Sequence, residues 1–333
     1  MDKSRRRSRS IKIMGTGSYT PERILTNQEL EERGISTNEW ILKNIGIRER
    51  RIALKGQTTS DLATEAARRA MEDAGLSAGD IDLIIVATTT PDRPCPSTAC
   101  IVQKKIGAFQ AAAFDISAVC AGFIYGFSLA AGLITSGGYK NILVIGADTF
   151  SRITDWKKRD CVFFGDGAGA AVLTSCKKGE GLLSCYLGAD GSGYDDFTVR
   201  AGGSEEPATM ETVQNRRHYF SMNGRAVFEA ATKVIPLGIR RVLEDTGLGV
   251  SDIDWVIPHQ PNINILKVCA EKLGLPFEKV MVNLDKYANT SGGTIPILLD
   301  ETLKSGKIKK GDIVVLAGVG AGWTWGTAII KWV

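Results

Sequence analysis

Three side chains in this sequence have the types and surroundings to do covalent chemistry together. Cys120 stands in "FDISAVCAGFIYG", at the start of an apolar segment with helical periodicity. His259 stands in "PHQPN", between two prolines that stiffen its backbone. Asn289 stands in "ANTSGGTIP", ahead of a second apolar helical segment. A thiol at a helix N-terminus lies near the positive end of the helix dipole, which favours the thiolate. Ala121 and Gly122 beside it leave room for a substrate to approach. A thiolate with a histidine and an amide nearby can carry a thioester and then stabilise an enolate. Each residue also has an ordinary use: a buried cysteine packs, a histidine hydrogen-bonds, and an asparagine caps a helix. What sets the chemical reading apart is where the three fall in a repeat.

"RRAMEDAGLSAGDIDLII" at residues 68–85 returns as "RRVLEDTGLGVSDIDWVI" at residues 240–257, with ten of eighteen positions identical at an offset of 172. Each copy reads as a helix, a short loop and a buried strand; Gly75 ends the first helix as a C-cap signal. "SGGYKNILVIGAD" and "SGKIKKGDIVVLAGV" extend the match. The chain therefore reads as two copies of one α/β fold packed together, a layered architecture whose interface favours a site. Counting back from Ser136 and Ser305 gives an offset of 169, which sets Asn289 opposite Cys120 at matching helix N-termini. The counterpart of His259 at offset 172 is Ala87.

The bulk properties narrow the function. The 333 residues carry 41 Lys and Arg against 37 Asp and Glu, a net charge of +4. Lys3, Arg5, Arg6, Arg7 and Arg9 against Asp2 supply all of it, so the body is neutral and gives no support for nucleic-acid binding. Residues 1–10 read as a basic, mobile tail, residues 11–176 as the half with the thiol, and residues 177–333 as the half with the histidine and the amide. No apolar run is long enough to span a membrane and the first residues lack a secretory core, so the expectation is a cytoplasmic protein with no membrane partner. Seven cysteines without a CxxC, and only two histidines, point away from a disulfide framework and from a metal. "GTGSYTP" reads as a strand entering a tight glycine turn, with close backbone packing in that buried turn. It lacks the third glycine of a dinucleotide site, and "FGDGAGAAVL" leads into a strand rather than a phosphate-binding helix.

"FDISAVCAGFIYG", "PHQPN", "ANTSGGTIP", "FGDGAGAAVL" and the closing "GAGWTWGTA" together resemble the β-ketoacyl-acyl-carrier-protein synthase III group of the thiolase superfamily, from about Ile11 to Val333. The resemblance implies a duplicated thiolase-like fold in five α-β-α-β-α layers. It implies an acyltransferase that moves an acyl group from coenzyme A to a cysteine and condenses it, with decarboxylation, with a malonyl thioester on acyl carrier protein. The product is a 3-oxoacyl thioester, the first step of fatty acid biosynthesis, made without a cofactor beyond the acyl-CoA substrate. Residue by residue, it implies Cys120 as nucleophile and His259 and Asn289 as the holders of the malonyl oxygen. The backbone N–H groups of Cys120 and Ala321 form an oxyanion hole, an alanine standing where the family usually has glycine. Trp40 stacks on the adenine with Arg159 as its partner, and Asn262 lies along the pantetheine path. Cys95 occupies the position of an aromatic residue that closes the acyl pocket across a homodimer interface. Asn44, Glu229, Asn264 and Glu271 depart from basic residues that dock the carrier. These departures keep open a specialised enzyme of secondary metabolism with a longer or unusual starter and a dedicated carrier. A hydroxymethylglutaryl-CoA synthase-like reaction needs an acidic base near the thiol, for which the sequence offers no clear candidate, and the intact Cys, His and Asn argue against a silent subunit.

Overall fold

Two sheets are built in the same strand order. A computed structural model describes residues 9–333. In chain order the strands are β1 (Arg9–Tyr19), β2 (Ile24–Thr26), β3 (Glu49–Arg51), β4 (Leu83–Ala87), β5 (Ala112–Ile116), β6 (Ile142–Thr149) and β7 (Asp166–Lys177). They continue with β8 (Gly181–Ala189), β9 (Phe197–Val199), β10 (Phe220–Met222), β11 (Trp255–Pro258), β12 (Ile313–Gly320) and β13 (Thr324–Lys331). The first sheet has the order β1-β7-β6-β4-β5 and the second β8-β13-β12-β11. In both, the inner pair is parallel (β4 with β6, β11 with β12) and the next pairs are antiparallel. The counterpart of β5 is reduced to a single parallel bridge between Val256 and Val280.

Five layers follow from which faces are apolar. Helices Gly122–Thr135 and Thr294–Lys304 lie between the sheets and touch strands of both. Helix Thr59–Asp73 covers the outer face of the first sheet, and helix Gly224–Thr246 that of the second. The central helix from Gly122 is apolar nearly all round, as a helix buried on two sides must be, with Phe123 and Phe127 fully buried. β4 is buried at all five positions, the pattern of a parallel strand covered on both faces. The arrangement is the thiolase-like, five-layered α/β fold that the resemblance implies.

Three readings change in detail. Of the basic arm, residues 1–8 lie outside the described residues, while Arg9 and Ser10 already pair with Lys177 and Cys176 in the sheet. "GTGSYTP" is not a turn, because β1 runs on through Gly15 and Gly17 to Tyr19. A Cβ on either glycine would overlap backbone at Ala70 or Ala74, so the glycines bring β1 against the outer helix. Gly169 within "FGDGAGAAVL" does the same on the other face, where a Cβ would sit 2.6 Å from Ile297 N.

The third change concerns the repeat itself. Val119 (φ 48°) and Ser291 (φ 52°), 172 residues apart, both have the left-handed backbone that non-glycine residues avoid. Each opens a one-turn 3₁₀ segment, Val119–Ala121 and Ser291–Gly293, that feeds a central helix. The equivalent of Cys120 is therefore Gly292, and Asn289 matches Ser117. The count from the helix ends slips by three because the first helix has 14 residues and the second 11.

Candidate active site

Cys120 sits in the 3₁₀ turn that follows β5, with Gly122 starting the helix. The turn is pressed against the second half: Thr324 Oγ1 donates to Ala118 O at 3.0 Å. Gly320 packs so closely that a Cβ there would lie 2.6 Å from Ala118 O and 3.0 Å from Cys120 N. The thiol is 8 % exposed. Burial pushes it up to about 12, with a hydrogen bond to Ser291 pulling it down and the buried Asp148 carboxylate pushing it up. Burial and the nearby carboxylate thus oppose the thiolate that the helix dipole favours.

His259 follows the end of β11, where its N–H donates to Ala317 O at 2.8 Å. Its Nδ1 lies 2.7 Å from Thr294 Oγ1, the first residue of the second central helix. The equivalent pair in the first half is Ala87 and Gly122, where a Cβ on the glycine would sit 2.9 Å from that of Ala87. A histidine–threonine hydrogen bond in one half thus corresponds to a contact of small residues in the other. Burial lowers His259 to about 3, so its imidazole is neutral at physiological pH.

Asn289 precedes the second turn and is tied to the first half by its backbone. Its N–H donates to Phe163 O and its carbonyl accepts from Gly165 N, each at 3.0 Å. Its Oδ1 accepts from Ser291 N at 2.7 Å, which fixes the amide and leaves Nδ2 as the end free to donate. Cys120, His259, Asn289, Asn262 and Ala321 all line one pocket of about 110 Å³ at the seam of the halves. Its remaining wall is apolar, built from Phe163, Phe164, Phe197, Met222, Phe228 and Ile265 among others. Phe197 and Phe220 stack on each other across the β9–β10 ribbon and reach Phe164 and Phe150 behind the pocket. Ala321 is not among the four non-glycine residues with positive φ among the described residues, so its Cβ brings no left-handed strain.

Trp40, Arg159 and Cys95 lie outside the pocket lining. Trp40, in helix Asn38–Asn44, carries the Arg159 guanidinium 4.6 Å from its ring centroid. Cys95 is exposed on the chain surface. Asn262 caps helix Ile263–Leu273 and donates from Nδ2 to Asn44 O at 3.1 Å; Asn264 donates to the same carbonyl at 2.8 Å. Glu229 is paired with Arg225 at 2.8 Å on the exposed helix face. Sequence reasoning missed Ser291, Thr294, Asp148 and the phenylalanine wall. Ser291 and Thr294 stood inside the quoted "ANTSGGTIP", while nothing local marks Asp148, which is buried behind the nucleophile turn.

A thiol, a neutral imidazole and an anchored amide around an apolar pocket, on a doubled five-layer fold, define a thiolase-like acyl-transferring enzyme. Two family models match: 3-oxoacyl-[acyl-carrier-protein] synthase III over residues 114–191, and its C-terminal part over residues 243–332. The beta-ketoacyl-[acyl-carrier-protein] synthase III of Caldanaerobacter subterraneus subsp. tengcongensis is 53% identical over 96% of this chain and 97% of its own. That of Clostridioides difficile is 49% identical over 96% and 98%. The crystal structure of 3-oxoacyl-[acyl-carrier-protein] synthase III from Aquifex aeolicus matches with a TM-score of 0.89 at 42% identity, over 97% of this chain and all of that one. The chain belongs to the β-ketoacyl-acyl-carrier-protein synthase III family, and its relatives' names favour the initiating enzyme of fatty acid synthesis over the specialised alternative. No helix among the described residues is long and apolar enough to cross a membrane.

Proposed function

We propose that this chain, as a cytoplasmic enzyme, takes an acyl group from coenzyme A onto Cys120 and condenses it with a malonyl thioester on acyl carrier protein. The observation that carries this reading is the convergence of Cys120, His259 and Asn289 on one apolar pocket. In the first half-reaction the sulfur attacks the acyl carbonyl, whose developing oxyanion is met by the N–H groups of Cys120 and Ala321. Coenzyme A leaves as its thiol, the proton lost by Cys120 balancing the one it gains. In the second, decarboxylation leaves charge on the malonyl thioester oxygen, held by His259 and by Asn289 Nδ2. The enolate carbon then attacks the acyl-cysteine and expels the sulfur as a thiolate, which takes a proton from solvent to return the free thiol. A neutral histidine suits this work, because a donor that stays uncharged stabilises the enolate without handing it a proton.

Trp40 and Arg159 are read as the grip on adenine, a ring and a guanidinium that already stand 4.6 Å apart. Asn262 is read as a contact along the pantetheine arm. The homodimer is supported by the open edge of β5 and the adjoining apolar groove of Ile116, Ala118, Leu129, Leu133 and Leu187. In that dimer Cys95 would reach the partner's acyl pocket. The test is mass spectrometry of intact protein after incubation with a panel of acyl-CoAs. One adduct, on Cys120, is expected; a stable adduct on Cys120→Ala sinks the assignment.

A further inference from the structure

Arg50, the middle residue of β3, is fully buried and belongs to none of the roles above. Burial lowers it to about 10, which leaves it charged at neutral pH. Its Nη1 donates to Leu25 O at 3.2 Å and to Asn27 Oδ1 at 2.9 Å, and its Nη2 donates to Val162 O at 2.9 Å. All three acceptors are neutral oxygens, and Nε has no partner. Taking a charge out of water is costly, and neutral acceptors offset that cost less than a carboxylate would. What the guanidinium supplies is a rigid planar fork whose donors reach two segments of chain at once.

Those two segments carry the two arms read as the adenine grip. Val162 belongs to the 3₁₀ segment Arg159–Phe163, which presents Arg159. Asn27, also buried, extends the fork to the other arm: its Nδ2 donates to Asn38 Oδ1 at 3.0 Å and to Ile47 O at 2.7 Å. Asn38 is the first residue of helix Asn38–Asn44 and Ile47 lies just beyond its end, so one amide brackets the helix that presents Trp40. Around the fork, Ile41, Ile45 and Ile47 share an apolar cluster with Cys161 and Val162. Apolar contact is non-directional, so it holds the two segments together without fixing how they face. The far end of the Arg159 segment is held separately, where Phe163 O accepts from Asn289 N and Gly165 N donates to Asn289 O.

We propose that Arg50 and Asn27 form a buried hub that keeps Arg159 facing Trp40, resting on the reading of those two as the adenine grip. The guanidinium lies 4.6 Å from the indole centroid, so the two side chains must part to admit a ring between them. The facing arrangement then has to be held by the backbones behind them, which is where the hub sits. Neither Arg50 nor Asn27 touches the substrate; they are positioning residues. Cutting the hub frees the Arg159 end of its segment, while the bonds of Asn289 to Phe163 and Gly165 keep the other end in place. The hub therefore governs affinity for the nucleotide part of coenzyme A, and not the rate at which a bound thioester passes to Cys120.

The test is acyl loading of the whole chain, followed by intact mass with two donors of the same acyl group: acyl-CoA, and acyl-pantetheine, which lacks the adenine nucleotide. Asn27→Ala and Arg50→Met are each expected to raise the acyl-CoA concentration for half-maximal loading about tenfold, with the maximal rate near that of wild type. With acyl-pantetheine the same variants should stay within about twofold of wild type. A merely structural defect would weaken both donors alike. In a Trp40→Ala background the hub variants should add no further loss, since residues that act through one another are not additive. Equal loss on both donors, no loss on acyl-CoA, or full additivity with Trp40→Ala each overturn the hub. Should Arg50→Met not fold, Asn27→Ala alone decides by the same criteria. The Trp40→Ala single variant reports on the grip itself. If it loses nothing, or loses equally on both donors, the grip reading fails and the hub falls with it. If its loss is confined to acyl-CoA while Asn27→Ala shows none, only the hub is refuted.

Discussion

Replacing Asn289 by alanine separates the two half-reactions. The Asn289 backbone is pinned to Phe163 O and Gly165 N, and Oδ1 is occupied by Ser291 N, so Nδ2 is a preorganised donor aimed at the pocket. Removing one such donor costs about 2.7–4 kcal/mol in the transition state where charge develops, a factor of about 10²–10³. That charge develops on the malonyl oxygen and not on the acyl carbonyl during loading. Asn289→Ala is therefore expected to load an acyl group within a few-fold of the wild-type rate and to condense about 10²–10³ times more slowly. The variant also orphans Ser291 N–H, which destabilises the turn by about 1–3 kcal/mol. Thermal melts establish that the fold survives. Intact-mass kinetics with acyl-CoA measure loading, and release of the 3-oxoacyl product measures condensation. A fall in loading as large as the fall in condensation refutes the division of labour.

Three further outcomes follow from other parts of the site. His259 has a folded pKa lowered to about 3 from 6.5, so its share of stability is complete above pH 6.5 and is lost as pH falls towards 3. Between pH 7 and pH 4.5 this amounts to roughly 2–3 kcal/mol, and chemical denaturation should show a correspondingly smaller pH dependence in His259→Asn; an identical dependence contradicts a buried neutral imidazole. Trp40→Ala and Arg159→Ala should each raise the acyl-CoA concentration for half-maximal loading about tenfold while leaving the maximal rate unchanged. Loading kinetics that lose rate instead of affinity would remove the adenine grip. Cys95→Phe should shift preference towards acetyl-CoA, since each buried methylene that an aromatic ring displaces is worth about 0.8 kcal/mol. Equal chain-length profiles, measured on confirmed dimer, would show that position 95 does not reach the pocket.

Much of this was open to a reader of the sequence, and the exceptions have physical causes. The 18-residue repeat revealed the duplication because identical helix–loop–strand units leave identical periodicities. The thiol, imidazole and amide were legible because each sits in a short motif at an element boundary. The pairing of Cys120 with Asn289 was miscounted because helix length differs between the halves, and only the positive φ at Val119 and Ser291 fixes the true register. Gly15 and Gly17 read as close backbone packing in a turn; the close packing holds, but its partner is the outer helix and the strand runs on, which no local signal shows. Trp40 and Arg159, 119 positions apart in sequence, meet only in the folded chain. Asp148, in "GADTF", looks like any strand-end acid until its five donors are counted.

The matched left-handed turns have a consequence for stoichiometry. One carries Cys120, and the other carries Gly292, where a Cβ would lie 3.1 Å from Ala87 O and 3.3 Å from Asp148 Oδ2. The second cradle is thus shaped like the first but too crowded to hold a thiol of its own. Titrating the protein with acyl donor should saturate at a single equivalent per polypeptide, although the fold offers two symmetric stations for it.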